Sequence, residues 1–285
     1  MARLKALFIT LYPLAAALMC GHALWRWWQQ GDWLWAGVLL VNAPILLRLV
    51  WLVGHGPARG GRQLVLATVC AWFGAAVMLL GTLSLGDPRP LAWTYGVVGL
   101  AGLCVCLLWY QPTRAERGKT PRPGQNLPSQ TLLDLEGELV STVSLSGRPA
   151  VILFFRGSWC SLCMAQLREL RRRQPQLERR GARLLVISAQ PASRAVRLAQ
   201  RLNLGLEWWV DPQLALARRL GIIDPGGTPL GLGLLGYSAD TVLPTVLITD
   251  SRGQILFVDQ FENPRARPEP VTFLRVLDSM TLAPR

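Results

Sequence analysis

The feature that most constrains this chain is a series of four apolar runs in its first 110 residues. The runs cover about residues 4–24, 33–53, 64–85 and 91–110. Each approaches the roughly 20 residues that an α-helix needs to cross the hydrocarbon layer of a bilayer. We therefore predict an all-α membrane domain with four transmembrane helices over residues 1–110.

The composition of the whole chain agrees with a membrane segment. Hydrophobic residues make up 51% of the 285 residues and charged residues only 16%, which excludes both a disordered chain and a wholly soluble protein. Nine of the twelve tryptophans fall within the first 110 residues, and indole rings collect at membrane interfaces. The first 110 residues are therefore expected in the lipid bilayer and the rest of the chain in water.

The distribution of basic residues predicts the orientation of the helices, because short loops rich in Lys and Arg stay in the cytoplasm. Eight basic residues fall on one side and two on the other: Arg3, Lys5, Arg59, Arg62, Arg114, Arg117, Lys119 and Arg122 against Arg26 and Arg89. We expect an integral protein of a bacterial inner membrane with both termini cytoplasmic. A signal peptide in place of the first helix would leave the C-terminal part on the same side, and the run is long for one.

The second domain follows a linker. Residues 111–130 shift to Pro, Gly, Thr and charge, which is typical of a linker, and the domain is expected over residues 121–285. Apolar and periodic segments predict strands at 131–135, 140–145, 150–155, 183–189, 206–210, 246–249 and 255–259, and helices at 162–180, 192–202, 213–220 and 270–280. Strands alternating with helices predict an α/β fold with a central mixed sheet flanked by helices. Residues 226–236, with five glycines, are expected to form a loop or insertion.

The motif that indicates chemistry is Arg-Gly-Ser-Trp-Cys-Ser-Leu-Cys at residues 156–163. It lies where a predicted buried strand ends and a predicted helix begins. At a helix N-terminus the unsatisfied backbone N–H groups and the dipole favour a thiolate. We therefore predict Cys160 as the nucleophile and Cys163, one turn later, as the cysteine that resolves a mixed disulfide.

Other interpretations of the cysteine pair are a zinc site or a purely structural pair of buried thiols. The remaining Cys and His residues are Cys20, Cys70, Cys104, Cys106, His22 and His55, all in or beside the membrane runs. No second ligand pair is therefore expected to complete a zinc site. The membrane cysteines are open to a role as an electron relay or as ordinary apolar residues. We expect no metal and no organic cofactor.

Nucleic acid is not an expected partner. The arginines at 171–173 and 179–183 lack interleaved aromatic residues. A solvated face, or one that contacts anionic lipid head groups, is the better interpretation.

The motif and its surroundings resemble the thioredoxin-like superfamily, in its redoxin branch of the alkyl hydroperoxide reductase/thiol-specific antioxidant (AhpC/TSA) type. The resemblance covers roughly residues 121–280. It includes the segment 143–149, the pair Asp211-Pro212 and the segment Leu243-Pro244-Thr245. It implies a thioredoxin-like fold and a cis proline at Pro244 that lies against the cysteines and shapes a substrate groove.

The resemblance leaves two chemistries open. Typical peroxiredoxins have Pro and Thr where this chain has Leu153 and Gly157, and their active-site Arg falls near Pro244. These departures favour a membrane-anchored thiol–disulfide oxidoreductase, in which Trp159 shields the dithiol and Arg156 stabilises the thiolate.

The first alternative is a peroxiredoxin-like peroxidase that uses the same cysteines, with Arg156 supplying the positive charge for the peroxide. The second is a redox-sensing domain on a membrane partner or transport subunit. The expected partners are a disulfide-containing protein or a peroxide as oxidant, an external thiol or dithiol as reductant, and the lipid bilayer.

The orientation can be tested with reporters fused after Arg285. Because the basic residues retain their loops inside, a fluorescent protein fused there should be bright and alkaline phosphatase fused there inactive. Active phosphatase with a dark fluorescent protein would place the C-terminal domain outside the cytoplasm.

Overall fold

A computed structural model describes residues 2–54, 61–86, 89–108, 120–203, 205–260 and 270–282. The chain forms two compact units, the first covering most of residues 1–111 and the second mainly Pro112–Arg285. Residues 111–119 of the predicted linker lie outside the described residues. So do His55 and four of the basic residues used for orientation: Arg59, Arg114, Arg117 and Lys119.

The N-terminal unit contains the four expected helices. They are α1 (Ala2–Gln30), α2 (Trp33–Gly54), α3 (Gly61–Leu85) and α4 (Pro90–Leu108). Each contains a span long and apolar enough to cross a membrane. Helix α1 is longer than predicted, because the tryptophan-rich segment after residue 24 continues the helix to Gln30. The last two residues of the fourth run lie outside the described residues.

Helices α2 and α3 pack closely through glycine. A Cβ atom added at Gly37 would lie 2.8 Å from the carbonyl oxygen of Gly74, and one added at Gly74 would lie 2.7 Å from that of Gly37. Small residues let two helix backbones approach to this distance. Beside this contact the Asn42 amide is buried and donates to the carbonyl oxygens of Val38 at 3.0 Å and Tyr95 at 3.4 Å. Asn42, a polar residue of the second apolar run, therefore faces the interior of the helix bundle.

The C-terminal unit is a mixed sheet with helices on both faces, as the sequence predicts. Its strands are β1 (Thr131–Leu133), β2 (Leu139–Ser141), β3 (Ala150–Phe155), β4 (Arg183–Ser188), β5 (Glu207–Val210), β6 (Ile223–Asp224), β7 (Thr241–Val242), β8 (Thr245–Thr249) and β9 (Ile255–Gln260). Within the described residues the main sheet has the order β2-β1-β5-β4-β3-β8-β9, and β6 pairs with β7. Strands β3, β4 and β5 are parallel, while β8 runs antiparallel to β3.

The helices of this unit cover the two faces of the sheet. They are α5 (Ser161–Glu178), α6 (Ala192–Leu202), α7 (Ala215–Arg219) and α8 (Pro270–Leu282). Side chains of a strand alternate between the two faces of a sheet, and those of β3 are buried on both faces. Val151, Leu153 and Phe155 join the core under α5, α6 and α8. Ala150, Ile152 and Phe154 join the core with α7 on the other face. The continuous apolar run of β3 is thus explained by burial on both faces.

One predicted strand has different bounds, and two short strands were not predicted. The strand predicted at 140–145 ends at Ser141. The Ser141 hydroxyl accepts the N–H of Val143 at 3.2 Å, and a 3-10 turn begins there over Thr142–Leu145. The glycine-rich stretch is flanked by the short strands β6 and β7, which the sequence analysis missed. Their two-residue length gives no measurable alternation of apolar residues.

Asp211 fixes the start of α7. Its carboxylate accepts the backbone N–H groups of Ala215 at 2.7 Å, Leu216 at 3.0 Å and Ala217 at 3.2 Å. Burial raises the pKa of Asp211, and the three donors act in the opposite direction. The side chain is 2% exposed, so these N–H groups depend on it for satisfaction.

We predict that Asp211→Ala lowers the free energy of unfolding of the C-terminal unit by about 1–3 kcal/mol, because it leaves buried donors unsatisfied. The midpoint of thermal unfolding of the full chain in detergent, followed by protease sensitivity of this unit, should fall by several degrees. Asp134→Ala is the control, since Asp134 accepts two N–H groups in the exposed β1–β2 turn. Equal losses in both variants would contradict a special role of Asp211.

Candidate active site

The two motif cysteines lie at the junction of β3 and α5. Cys160 caps the N-terminus of α5, and its Sγ accepts the backbone N–H of Cys163 at 3.4 Å. Cys163 is buried, while Cys160 is partly exposed. A sulfur that accepts a helix N-terminal N–H has its thiolate form favoured. The geometry therefore makes Cys160 the accessible sulfur and Cys163 the sheltered one.

Arg156 is held in a buried ion pair. Its Nη2 donates to Oδ2 of Asp224 at 2.8 Å and to the carbonyl oxygen of Gly227 at 2.7 Å. The Arg156 and Asp224 side chains are only 10% and 2% exposed. The guanidinium carbon also lies 5.0 Å from the centre of the Trp159 ring, a cation–π distance. Arg156 therefore connects the motif to Asp224 of β6 and packs against the ring of Trp159.

Position 157 requires glycine, because neighbouring side chains leave no room for a Cβ atom. Its φ of +150° lies in the region that favours glycine, and an added Cβ would be 2.7 Å from Nε1 of Trp159 and 3.1 Å from the Tyr237 ring. A side chain here would displace the indole. This close approach explains why glycine occupies a position where typical peroxiredoxins have threonine.

A polar network on the other side of the motif was missed by the sequence analysis. The Ser158 N–H donates to Oε1 of Gln190 at 3.1 Å, and the Ser158 hydroxyl lies 3.2 Å from the Tyr237 hydroxyl. Tyr237 also donates to Gln190 Oε1 at 3.5 Å. Gln190 is fully buried and follows the end of β4. Because β3 and β4 are parallel neighbours, residues after their C-terminal ends meet at one edge of the sheet, and that rule could have found Gln190.

A cleft of about 310 Å³ opens beside this network. It is lined by Ala189, Gln190, Pro191, Pro212, Gly233, Gly236, Tyr237 and Ser238. Two of these residues, Gln190 and Tyr237, bond to Ser158, which is two residues from Cys160. The cleft is thus adjacent to the cysteine motif in the fold.

Pro244 lies directly before β8, which pairs with the strand that leads to the motif. The register pairs Leu153 with Val246, and continuing it sets Pro244 beside Phe155. The expectation of a cis bond was wrong, since the Leu243–Pro244 bond is trans. The Leu243 N–H donates to the carbonyl oxygen of Ile222 at 2.7 Å, directly after the pairing of β6 with β7. Pro244 is buried.

Comparison with known families agrees with this architecture. Residues 123–258 match the sequence model of the AhpC/TSA family. The C-terminal unit is an AhpC/TSA domain. It has a thioredoxin-like fold, and the chain is a redox enzyme of the thiol peroxidase or oxidoreductase type.

Solved structures with a similar fold include three from bacteria. A thiol peroxidase from Chromobacterium violaceum has 21% identity and a TM-score of 0.49, covering 58% of this chain and 90% of that one. Peroxidoxin BcpB from Mycobacterium tuberculosis has 20% identity and a TM-score of 0.47, with 56% and 97% covered. A putative protein disulfide isomerase from Bacteroides thetaiotaomicron has 16% identity and a TM-score of 0.42, with 57% and 91% covered. No curated protein sequence matches the chain.

The buried ion pair gives a testable prediction. Asp224→Asn leaves the guanidinium of Arg156 buried without its counter-charge, which should cost about 3–5 kcal/mol of unfolding free energy. The double variant with Arg156→Met removes the charge as well and should recover part of that loss in thermal unfolding of the full chain.

The control for this pair is Asp278→Asn, because Asp278 pairs with Arg180 on an exposed surface. It should leave the unfolding midpoint nearly unchanged. A double variant no more stable than Asp224→Asn alone would show that the charge of Arg156 is not the destabilising element.

Proposed function

We propose that this chain is a membrane-anchored thiol–disulfide oxidoreductase that uses Cys160 and Cys163 as a redox-active dithiol. The observation that carries the proposal is the hydrogen bond from the Cys163 N–H to the Cys160 sulfur at the N-terminus of α5. It favours the thiolate on the more exposed cysteine, while the second thiol is buried one turn away. This is the arrangement that dithiol exchange requires.

The reaction proceeds in two exchanges. The Cys160 thiolate attacks one sulfur of a substrate disulfide, forming a mixed disulfide and releasing the other substrate sulfur as a thiolate. Cys163 loses its proton and attacks the Cys160 sulfur, which releases the second substrate thiolate and leaves a Cys160–Cys163 disulfide. The substrate disulfide is reduced by two electrons and the dithiol is oxidised by two. An external thiol or dithiol then reduces the enzyme, with no metal or organic cofactor.

Three further residues support the dithiol in this proposal. Trp159, held over Arg156, shields the sulfur atoms from one side. The charge of Arg156 adds to the field that favours the thiolate, although Asp224 offsets part of it. Pro244, directly before the strand that pairs with β3, offers no backbone N–H and lets an extended substrate segment approach the motif.

Membrane anchoring is supported by the surface of the N-terminal unit. Large apolar side chains are exposed on its helices, including Leu18, Trp28, Val50, Trp72 and Leu83, as expected where lipid covers them. The polar Asn42 faces inward, as required for helices in hydrocarbon. The excess of basic residues on one side supports an inner-membrane protein with the redox domain in the cytoplasm.

A second candidate function is peroxide reduction, which the AhpC/TSA family match favours. In that reaction Cys160 attacks the O–O bond, forming a sulfenic acid and releasing water or an alcohol. Cys163 then condenses with the sulfenic acid to give the same disulfide and water. Arg156 would supply the positive charge for the peroxide, in competition with its bond to Asp224.

The dithiol mechanism predicts a trapped intermediate. When the full chain in detergent is incubated with a disulfide-linked peptide, Cys163→Ser should accumulate a mixed disulfide on Cys160, because no resolving thiol is present. Peptide mass mapping without reductant locates the adduct. Cys160→Ser should form none on Cys163, and turnover should be lost in both variants.

The matched control is Cys104→Ser, which removes an exposed cysteine of α4 and should leave turnover unchanged. An adduct on Cys163 in the Cys160→Ser variant, formed as fast as the one on Cys160, would reverse the assigned roles. If no adduct forms on either residue, disulfide exchange is not the reaction of this site.

A further inference from the structure

A surface loop beside the cleft exposes several leucines. This leucine loop, residues 229–236, contains Leu230, Leu232, Leu234 and Leu235 between glycines, and part of it forms one 3-10 turn over Leu232–Leu235. Leu234 is 92% exposed, and Leu230 and Leu235 are each nearly half exposed. Clustered exposed apolar side chains of this kind mark an interaction surface.

An arginine-bearing face of α6 meets the leucine loop through Arg194. Arg194, Arg197 and Arg201 share one helix face by their spacing of three and four residues. The Arg194 Nε donates to the carbonyl oxygen of Leu235 at 3.1 Å, and its guanidinium lies 5.4 Å from the centre of the Tyr237 ring. The sequence has no acidic residue from 189 to 206 or from 225 to 239. The two segments therefore combine exposed leucines with arginines and contain no acidic residue.

We propose that the leucine loop docks on the surface of an anionic bilayer. The leucines insert into the boundary between head groups and acyl chains, and the arginines of α6 contact the lipid phosphates. Apolar side chains flanked by Arg on one surface are the composition of interfacial membrane contacts. Complementarity of charge and the absence of acidic groups favour anionic lipid over a protein partner.

The inference rests on the membrane anchoring proposed above, which keeps the domain near the bilayer. Only residues 109–119 separate the end of α4 from the described part of the second unit. Eleven residues span at most about 40 Å when fully extended. The membrane anchor therefore keeps the leucine loop at a high effective concentration of lipid. A low affinity for lipid is then sufficient for the loop to bind the bilayer.

Docking of this loop has a consequence for the active site. Tyr237 follows the loop directly and bonds to Ser158, two residues before Cys160. The same residue lines the cleft beside the motif. The leucine loop, the cleft and the cysteine motif are therefore adjacent in the fold. In this proposal docking brings the dithiol to oxidants held at the membrane surface.

Photo-cross-linking of the full chain tests this inference. Leu234 is replaced by p-benzoylphenylalanine, and the protein is reconstituted into nanodiscs of phosphatidylethanolamine with phosphatidylglycerol. Irradiation should give lipid adducts at position 234, identified by mass spectrometry. The matched control carries the same photoprobe at Leu139, which is 76% exposed on β2, outside the leucine loop, and should give few adducts.

The charge requirement is tested in the same assay. Arg197→Gln with Arg201→Gln should reduce the adducts at position 234 severalfold, since each arginine near an anionic surface contributes roughly fivefold in binding. Discs of phosphatidylcholine alone should give a similar decrease. Equal labelling at positions 234 and 139, no lipid adduct at 234, or a cross-linked dimer through 234 would overturn the inference. Failure of the chain to incorporate into discs would instead contradict the proposed anchoring.

Discussion

The junction between β3 and α5 is the constraint on which the active site depends. Strand β3 is buried on both faces, so its end is fixed, and the chain must pass from Phe155 to Ser161 within five residues. That passage leaves Cys160 at the helix N-terminus, where its sulfur accepts the Cys163 N–H. The buried strand β3 thus positions the Cys160 sulfur at the helix N-terminus, where a thiolate is favoured.

The residues around the junction hold it from two sides. Arg156 is bonded to Asp224 and stacked on Trp159, while Ser158 is bonded to Gln190 and Tyr237. Gly157 permits both, since a side chain there would collide with Trp159 and Tyr237. The motif therefore connects two networks, and a change in either is expected to move the Cys160 sulfur as well as to affect stability.

Sequence alone predicted the parts of the structure that depend on local patterns. The apolar runs predicted α1 to α4, and the continuous hydrophobic stretch predicted β3. The motif predicted a strand end followed by a helix, and both cysteines lie at that junction. It missed Asp224, Gln190 and Tyr237, because their contacts with the motif span 32 to 79 residues of chain and no periodicity records such pairs. It was wrong about the Leu243–Pro244 bond, which came from resemblance and not from these residues.

The central claim is that this site exchanges disulfides in preference to reducing peroxides. The most direct measurement compares kcat/KM of the full chain for a disulfide-linked peptide and for cumene hydroperoxide, with the same thiol reductant. A dithiol exchanger should favour the disulfide by at least about tenfold, which corresponds to roughly 1.4 kcal/mol of transition-state stabilisation. Faster turnover of the hydroperoxide, abolished in Arg156→Ala and accompanied by negligible disulfide reduction, would contradict the account and assign the site to peroxide chemistry.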